Sequence, residues 1–353
     1  MNADNFWKQL PVPIIGLSPM DGVTDQPFRH IQKKYGNPAV VYTEFTSVEG
    51  VCHGAEQLLT DFLFDESQRP IIAQIYGTTP DFFRQTSILL CELGFDGIDI
   101  NMGCPAKNVA HSGAGAALIK TPKLAQEIIK AVQQGISEWQ NGITVEDCSD
   151  ITKNIRAEIH RRHKLLSTKY QAKRVVPVSI KTRVGFNEPV INEWIPNLLE
   201  CEPSAIALHG RTLTQHYSGL ASWELIGQAA KLVKQTDTLI LGNGDVSTRE
   251  QALKNVVDYG VDGVLIGRGA MGNPFVFKEE KPEISVFEVA LEHCTLFEET
   301  YSHKERYSFL PMRKHLGWYV KAIPNASEIR VELFKSENAA DVAEIFNRYH
   351  LLG

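Results

Sequence analysis

Eight short runs of apolar and β-branched residues, each closing on glycine or a polar side chain, limit what this chain can fold into more than any other feature. They are Ile14 to Met20, Val40 to Phe45, Pro70 to Gly77, Gly97 to Gly103, Val176 to Gly185, Ala205 to Thr212, Leu239 to Val246 and Gly263 to Ala270. Runs of this make-up predict strands. Segments with helical spacing separate them, such as Leu124, Ile128, Ile129 and Val132, or Leu225, Ala229, Leu232 and Val233. Strands alternating with helices form parallel βαβ units, and eight of them predict a closed (β/α)8 TIM barrel. An open doubly wound sheet would carry a Gly-rich fingerprint after its first strand, and Ser18-Pro19-Met20-Asp21-Gly22 is not one.

A barrel gathers its chemistry at the carboxyl ends of its strands. The runs close in turn on Asp21, Glu44, Gln74, Asn101 with Cys104, Lys181, His209, Asn243 with Asp245, and Arg268. Chance would scatter such groups over both strand ends, so the one-sidedness predicts an active site assembled around a barrel mouth. After Pro274 the strand pattern stops, and Val286, Val289, Ala290, Cys294 and Phe297 recur at three- and four-residue steps. The 353 residues suffice for one large domain and a small one. The expected organisation is a cofactor-binding barrel over 1–280 and a small C-terminal helical domain over 281–353.

The formal net charge of −6 argues mildly against a nucleic-acid partner, but the charge is segregated. Residues 152 to 183 hold ten Lys or Arg against the single acid Glu158, a local +9 that leaves −15 for the rest of the chain. Most of that charge lies in a stretch at about 137–175, between an expected crossover helix from Pro122 to Ile136 and the fifth strand. So long a connection is unusual. Within it Ile151, Ile155 and Ile159 recur every four residues among Lys153, Arg156, Arg161 and Arg162, the pattern of a basic amphipathic helix. It fits an RNA footprint or a solvated helix face. The cluster from Arg313 to Lys321, with Trp318 and Tyr319, likewise fits a nucleic-acid contact or ordinary packing.

No apolar run is long enough to span a membrane, and the opening residues form neither a signal nor a transit peptide, so a cytoplasmic location is expected. The six cysteines include no CxxC pair, which predicts reduced thiols without a metal site or disulfide framework. A monomer is expected.

Leu241-Gly242-Asn243-Gly244-Asp245 and Ile266-Gly267-Arg268-Gly269-Ala270 close strands seven and eight. In barrels these loops commonly bind phosphate, with glycines letting backbone N–H groups approach the oxygens and Arg supplying charge. Tight turns alone would also use glycine. Lys181 and His209 lie inside apolar strands, where each needs a partner, and an anionic cofactor would be one. Asp99-Ile100-Asn101-Met102-Gly103-Cys104-Pro105-Ala106-Lys107 puts a thiol on a turn stiffened by Gly and Pro. At a strand end it is expected to be exposed to the mouth, whereas a cysteine elsewhere is by default buried and inert.

In this order the residues resemble one family, the tRNA-dihydrouridine synthases, and most closely its bacterial B-type branch. Ser18-Pro19-Met20-Asp21-Gly22-Val23-Thr24-Asp25-Gln26-Pro27-Phe28-Arg29 resembles the family's opening motif, and Asn101-Met102-Gly103-Cys104-Pro105-Ala106-Lys107 its catalytic loop. Gln74, Lys181, His209, Asn243-Gly244-Asp245 and Gly267-Arg268 follow in the expected order, and the Arg313 to Lys321 run resembles the branch's helical tRNA-binding domain. The resemblance implies FMN held by Pro19, Met20, Asp21, Gln74, Lys181, His209, Asn243, Gly244, Asp245, Gly267 and Arg268. It assigns nothing to 137–175, which family members usually lack.

The implied reaction is reduction of the C5–C6 bond of a uridine in tRNA, in the D-loop, to dihydrouridine, with NADPH or NADH as reductant. Cys104 is implied as proton donor, and a thiol with an ordinary pKa of about 8.5 is mostly protonated at neutral pH. Lys181 would stabilise the reduced flavin. Asn101, Lys107 and Arg183 would contact a uridine turned out of its stack. Two other readings use the same residues: an FMN-dependent barrel reducing a free small molecule, and a non-catalytic RNA-binding barrel protein. A lyase with Lys181 as Schiff base is disfavoured, because Arg183 and a nearby thiol suit redox chemistry better.

Overall fold

All eight strands form where the apolar runs predict them, in a computed structural model that describes residues 5–352 apart from 217, 281, 305, 306, 322 and the side chains of Lys107 and Asn108. They are β1 (Ile14–Leu17), β2 (Val41–Ser47), β3 (Ile71–Tyr76), β4 (Gly97–Met102), β5 (Val178–Gly185), β6 (Ala205–Thr212), β7 (Leu239–Asn243) and β8 (Gly263–Ile266). All pairings are parallel, in the order β1-β8-β7-β6-β5-β4-β3-β2. The ring closes where Leu17 N donates to Val40 O and Ala39 N to Ile15 O, both at 2.9 Å. Trp7, Ile14, Tyr42, Ile72, Leu241 and Leu265 pack together in one buried cluster.

Between the strands run α1 (Gln26–Ile31), α2 (Val48–Cys52), α3 (Pro80–Glu92), α4 (Lys107–His111), α5 (Pro122–Gln140), α6 (Lys153–His163), α7 (Thr168–Gln171), α8 (Ile191–Leu199), α9 (Trp223–Val233) and α10 (Arg249–Tyr259). Their boundaries follow ordinary capping chemistry. Asp25 accepts from Phe28 N to start α1, and Gly260, at φ +67°, ends α10. The crossover helix α5 outruns its expected end at Ile136 because Trp139 continues the buried stripe of Ile128, Ile129 and Val132.

The basic stretch after α5 contains the expected amphipathic helix, α6, with Ile151, Ile155 and Ile159 essentially fully buried and the helix lying against α3. Part of its charge meets backbone carbonyls, and Arg161 and Arg162 pair with Glu158. Arg174 Nη2 donates to Phe95 O (2.8 Å), His163 Nδ1 lies 2.7 Å from Glu92 O, and Arg162 Nη1 donates to Leu59 O (2.8 Å). Arg69, from the loop before β3, donates to Gly94 O (2.8 Å) and stacks its guanidinium 3.3 Å over the Tyr170 ring. Glu92 to Phe95 span the end of α3, where unpaired carbonyls attract cations. Arg174 and His163 therefore lie at the end of α3, beside the start of β4 and away from the mouth, whereas Arg162 meets the segment after α2.

After β8 come α11 (Val286–Tyr301), α12 (Leu310–Tyr319), α13 (Ala326–Leu333) and α14 (Ala339–Arg348). A Ser285–Glu288 capping box starts α11. Cys294, Met312, Leu316, Leu333, Val342 and Phe346 form a core of their own, and α11 packs on α1. Across that seam Phe28 stacks near His293 and His315, at 6.0 and 5.3 Å. All six cysteines are buried and unpaired. Among the described residues no helix is long and apolar enough to cross a membrane.

Candidate active site at the barrel mouth

The carboxyl ends of the strands surround a cavity of about 720 Å3, within the ordinary range for cofactor pockets. Its wall includes Pro19, Met20 and Asp21 after β1, Gln74 on β3, Asn101 on β4 with Cys104 just beyond, Lys181 and Arg183 on β5, and His209 on β6. Asn243, Gly244 and Asp245 join from the end of β7, Gly267 and Arg268 from that of β8. The residues singled out for the barrel mouth are therefore in the wall except Glu44, which is half-buried beside Asp25, Asp61 and Arg29, and Lys107. Lys107 opens α4, and its side chain lies outside the described residues.

Strand alternation explains the gathering, since residues two apart share a face. Asn101 is in register with Lys181, and Arg183 with His209, which in turn faces Asn243. Thr182, between the two cations, points outwards, where its Oγ1 accepts from Trp194 Nε1 of α8 at 3.0 Å.

A chain of amides holds the thiol's turn. Asp99 accepts from Gln74 Nε2 and Ser179 Oγ, both at 2.7 Å. Gln74 Oε1 accepts from Asn101 Nδ2 (3.1 Å), and Asn101 Oδ1 accepts the backbone N–H groups of Gly103 (3.0 Å) and Cys104 (2.9 Å). Burial pushes the Asp99 carboxyl up to about 6, against the pull of Gln74, Ser179 and Lys181. Cys104 is 8% exposed, nested among Phe45, Tyr76, Ala106, Val109 and Ala114. Cys104 thus borders the mouth cavity and is packed on its other sides. Burial raises its pKa, partly offset by the Ala106 N–H (3.5 Å from Sγ) and the charges of Arg183 and Lys181, which favours the neutral thiol.

Burial and the neighbouring Arg183 push the Lys181 ammonium down to about 8, with Asp99 opposing. Burial, reinforced by Lys181, Arg183, Arg211 and Arg268, keeps the His209 imidazole neutral. Arg211 Nη1 lies 3.2 Å from His209 Nε2, so Nε2 accepts and the ring proton is on Nδ1. Asp245, at φ +53°, accepts from Arg211 Nη2 (2.5 Å) and Ala221 N (2.8 Å) on one oxygen and from Arg268 Nη2 (2.8 Å) on the other. Burial opposes its ionisation, but the Arg211 and Ala221 hydrogen bonds and both arginine charges hold it below the usual carboxylate range. Asp245 therefore braces Arg268 and the loop after β6.

Sequence reasoning did not single out Asp99 or Arg211 as site residues, although each stands two positions from one that it did, Asn101 and His209, and so on the same strand face. His216, which also lines the cavity, comes from an irregular loop where no periodicity marks it. The basic stretch contributes nothing to the cavity wall. In the C-terminal cluster, Arg313 Nε donates to Ser336 O (2.8 Å) and Lys314 Nζ to Gly22 O at the mouth, while His315 and Tyr319 are buried.

The chain matches the model of the family described as dihydrouridine synthase (Dus) over residues 16–165 and 157–350. A probable tRNA-dihydrouridine synthase 2 of Bacillus subtilis (strain 168) is 35% identical over 362 residues, covering 99% of each chain. A probable tRNA-dihydrouridine synthase of Staphylococcus aureus (strain COL) is 34% identical over 354 residues, covering 98% of this chain and 96% of its own length. The chain belongs to the dihydrouridine synthase family. Among solved structures, that of DHODH from Eimeria tenella in complex with ferulenol overlaps with a TM-score of 0.48 at 12% identity, covering 81% of each chain, too loosely to carry an argument. The two segments matched by the dihydrouridine synthase model meet inside the basic stretch, at 157–165, the part for which the family resemblance implied no role.

Proposed function

We propose that this dihydrouridine synthase family member reduces the C5–C6 bond of a D-loop uridine in tRNA, with FMN as cofactor and NADPH or NADH as reductant. The observation that carries the reading is a buried, neutral thiol beside a cationic cavity, in a chain matching tRNA-dihydrouridine synthases end to end. The donor set fits FMN. Arg268 and the glycine loops at Gly244 and Gly267 suit a phosphate, and Lys181, Gln74 and neutral His209 suit the polar edge of a flavin ring. Pro19, Met20, Asp21, Asn243 and Asp245 complete its surroundings.

Held by Arg268, the glycine loops, Lys181, Gln74 and His209, a flavin would supply hydride chemistry towards uracil C6. Negative charge then develops at C5 and O4, and Cys104 gives its S–H proton to C5 as general acid. The thiolate left behind takes a proton from solvent. Lys181, still largely protonated at neutral pH with a pKa of about 8, supplies positive charge in a site sheltered from water. Asn101 can offer its second amide N–H to the base. Contact of Lys314 with the Gly22 carbonyl supports a part for the C-terminal helices in holding RNA at the mouth.

The test is to incubate unmodified tRNA with the protein, FMN and NADPH and map dihydrouridine by mass spectrometry, with Cys104→Ala alongside. Dihydrouridine should form, and the variant should lose about 10²- to 10⁴-fold in rate while NADPH still bleaches the flavin. Undiminished product from Cys104→Ala would overturn the proton-donor role. A protein that takes up no flavin would point to RNA binding without catalysis.

A further inference from the structure

We infer that Arg183 is a positioning residue that couples the turn carrying Cys104 to the loop leaving β6, so that the proton donor and one rim of the mouth move as a unit. The inference rests on the reaction proposed above and concerns how that reaction's proton is aimed.

Arg183 is 3% exposed. Its Nε donates to Gly103 O (2.7 Å), and its Nη1 donates to Thr212 O (3.0 Å) and His216 O (3.4 Å). The first carbonyl belongs to the residue before Cys104, and the other two to the end of β6 and the loop beyond it. A guanidinium holds its donors in one rigid plane, so displacing the carbonyl on one side displaces the acceptors on the other. A lysine in its place would present a single point charge on a flexible stem. Gly103 is gripped from both directions, its N–H by Asn101 Oδ1 (3.0 Å) and its carbonyl by Arg183, which fixes the peptide from which the thiol projects.

The partner loop is equally constrained. His216 lines the cavity and holds a left-handed φ of +49°, a conformation that a non-glycine residue keeps only when its surroundings impose it. Further along, Arg211 Nη2 donates to Gly219 O (2.6 Å), and Ala221 N donates to Asp245 (2.8 Å). The loop is thus bolted at its near end by Arg183 and at its far end by the ion pair that also holds Arg268. A nucleotide entering the mouth touches His216, and the fork of Arg183 relays that contact to the Cys104 turn.

The experiment compares Arg183→Lys, which keeps the charge but loses the fork, with Arg183→Met, which loses both. Alkylation of Cys104 by iodoacetamide, followed by mass spectrometry without RNA or NADPH, reports the packing of the thiol directly. It should speed up severalfold in both variants while Cys91 and Cys201 stay protected. Reoxidation of NADPH-reduced flavin by tRNA should slow about 100-fold, the usual cost of a misplaced reacting group, with no rescue by lysine. His216→Gly, which relaxes the rim from another strand, should also change Cys104 alkylation, and should add nothing in the Arg183→Met background.

An unchanged alkylation rate in folded Arg183 variants would overturn the inference, as would a raised KM for tRNA with alkylation unaltered, which would mean direct substrate contact. Should the arginine variants fail to fold, an unaltered Cys104 rate in His216→Gly overturns the coupling by itself. Altered alkylation in a protein that never reduces tRNA would sink the proposed reaction and leave the coupling standing.

Discussion

Gly244 has a φ of +128°, and a Cβ there would lie 2.5 Å from Ala221 Cβ. Gly267, on the neighbouring loop, is in open contrast: its nearest neighbour to an added Cβ is Met20 Sδ at 3.5 Å, an ordinary contact. Two substitutions that look alike should therefore behave differently. Gly244→Ala should destabilise the protein by about 1–3 kcal/mol and lower its flavin content, read by urea unfolding and by the ratio of flavin to protein absorbance. Gly267→Ala should leave stability within about 0.5 kcal/mol of the parent, so that any loss of flavin affinity there reports close approach of the cofactor. Asn101 is a third case, because its side chain serves the protein as well as any ligand. Asn101→Ala leaves the Gly103 and Cys104 N–H groups without their acceptor, at about 1–3 kcal/mol, and should raise Cys104 alkylation as it slows turnover.

Among the elements, the basic stretch shows most clearly how charge in a sequence differs from charge on a surface. Its excess of Lys and Arg is legible in the sequence, and so is the isoleucine stripe that buries α6. Its use is not. Arg174 reaches back to the carbonyls of Cys91 and Phe95 (3.4 and 2.8 Å) and stacks 5.3 Å from the Trp139 ring. Arg174→Ala should cost about 1–3 kcal/mol through lost carbonyl partners, measured by urea unfolding. Uridine reduction per folded molecule should stay unchanged, because the site lies at the other end of the barrel. A selective loss of tRNA reduction with stability intact would assign this residue to RNA binding instead.

At the scale of the whole molecule, the seam between barrel and C-terminal helices should make stability depend on pH. Burial pushes His293 down to about 3 and His315 well below its usual range, with the charges of His293 and Lys314 adding to the effect. Both ring nitrogens of His315 lack a partner among the described residues. An unfolded chain takes up these protons near the ordinary histidine value of about 6.5, and the folded chain resists until far lower pH. The unfolded state therefore binds more protons in between, and stability is lost as pH falls from about 6.5 towards 3. Glu44, raised by burial to about 8, acts with the opposite sign, since the folded state holds its proton longer and stability falls as pH rises from 4.5 to 8. Urea titrations across this range should show His315→Phe flattening the acid limb alone. An unaltered slope below pH 6.5 would show that the seam does not open to protons on unfolding.

Alternation and order along the chain determined the barrel, the end at which chemistry collects and the residues of the cavity wall, because period-two and period-3.6 patterns decide which face each side chain takes. Family resemblance then named a role for Cys104 that spacing alone could not. Partnership across distant segments was settled only by the tertiary structure. That Cys104 is packed on the sides away from the mouth, that Asn101 moors its turn, that Asp245 braces Arg268, and that Arg174 meets carbonyls at the end of α3 all depend on groups brought together from separate segments. A local pattern records which way a side chain points, and only the closed barrel supplies what it meets there.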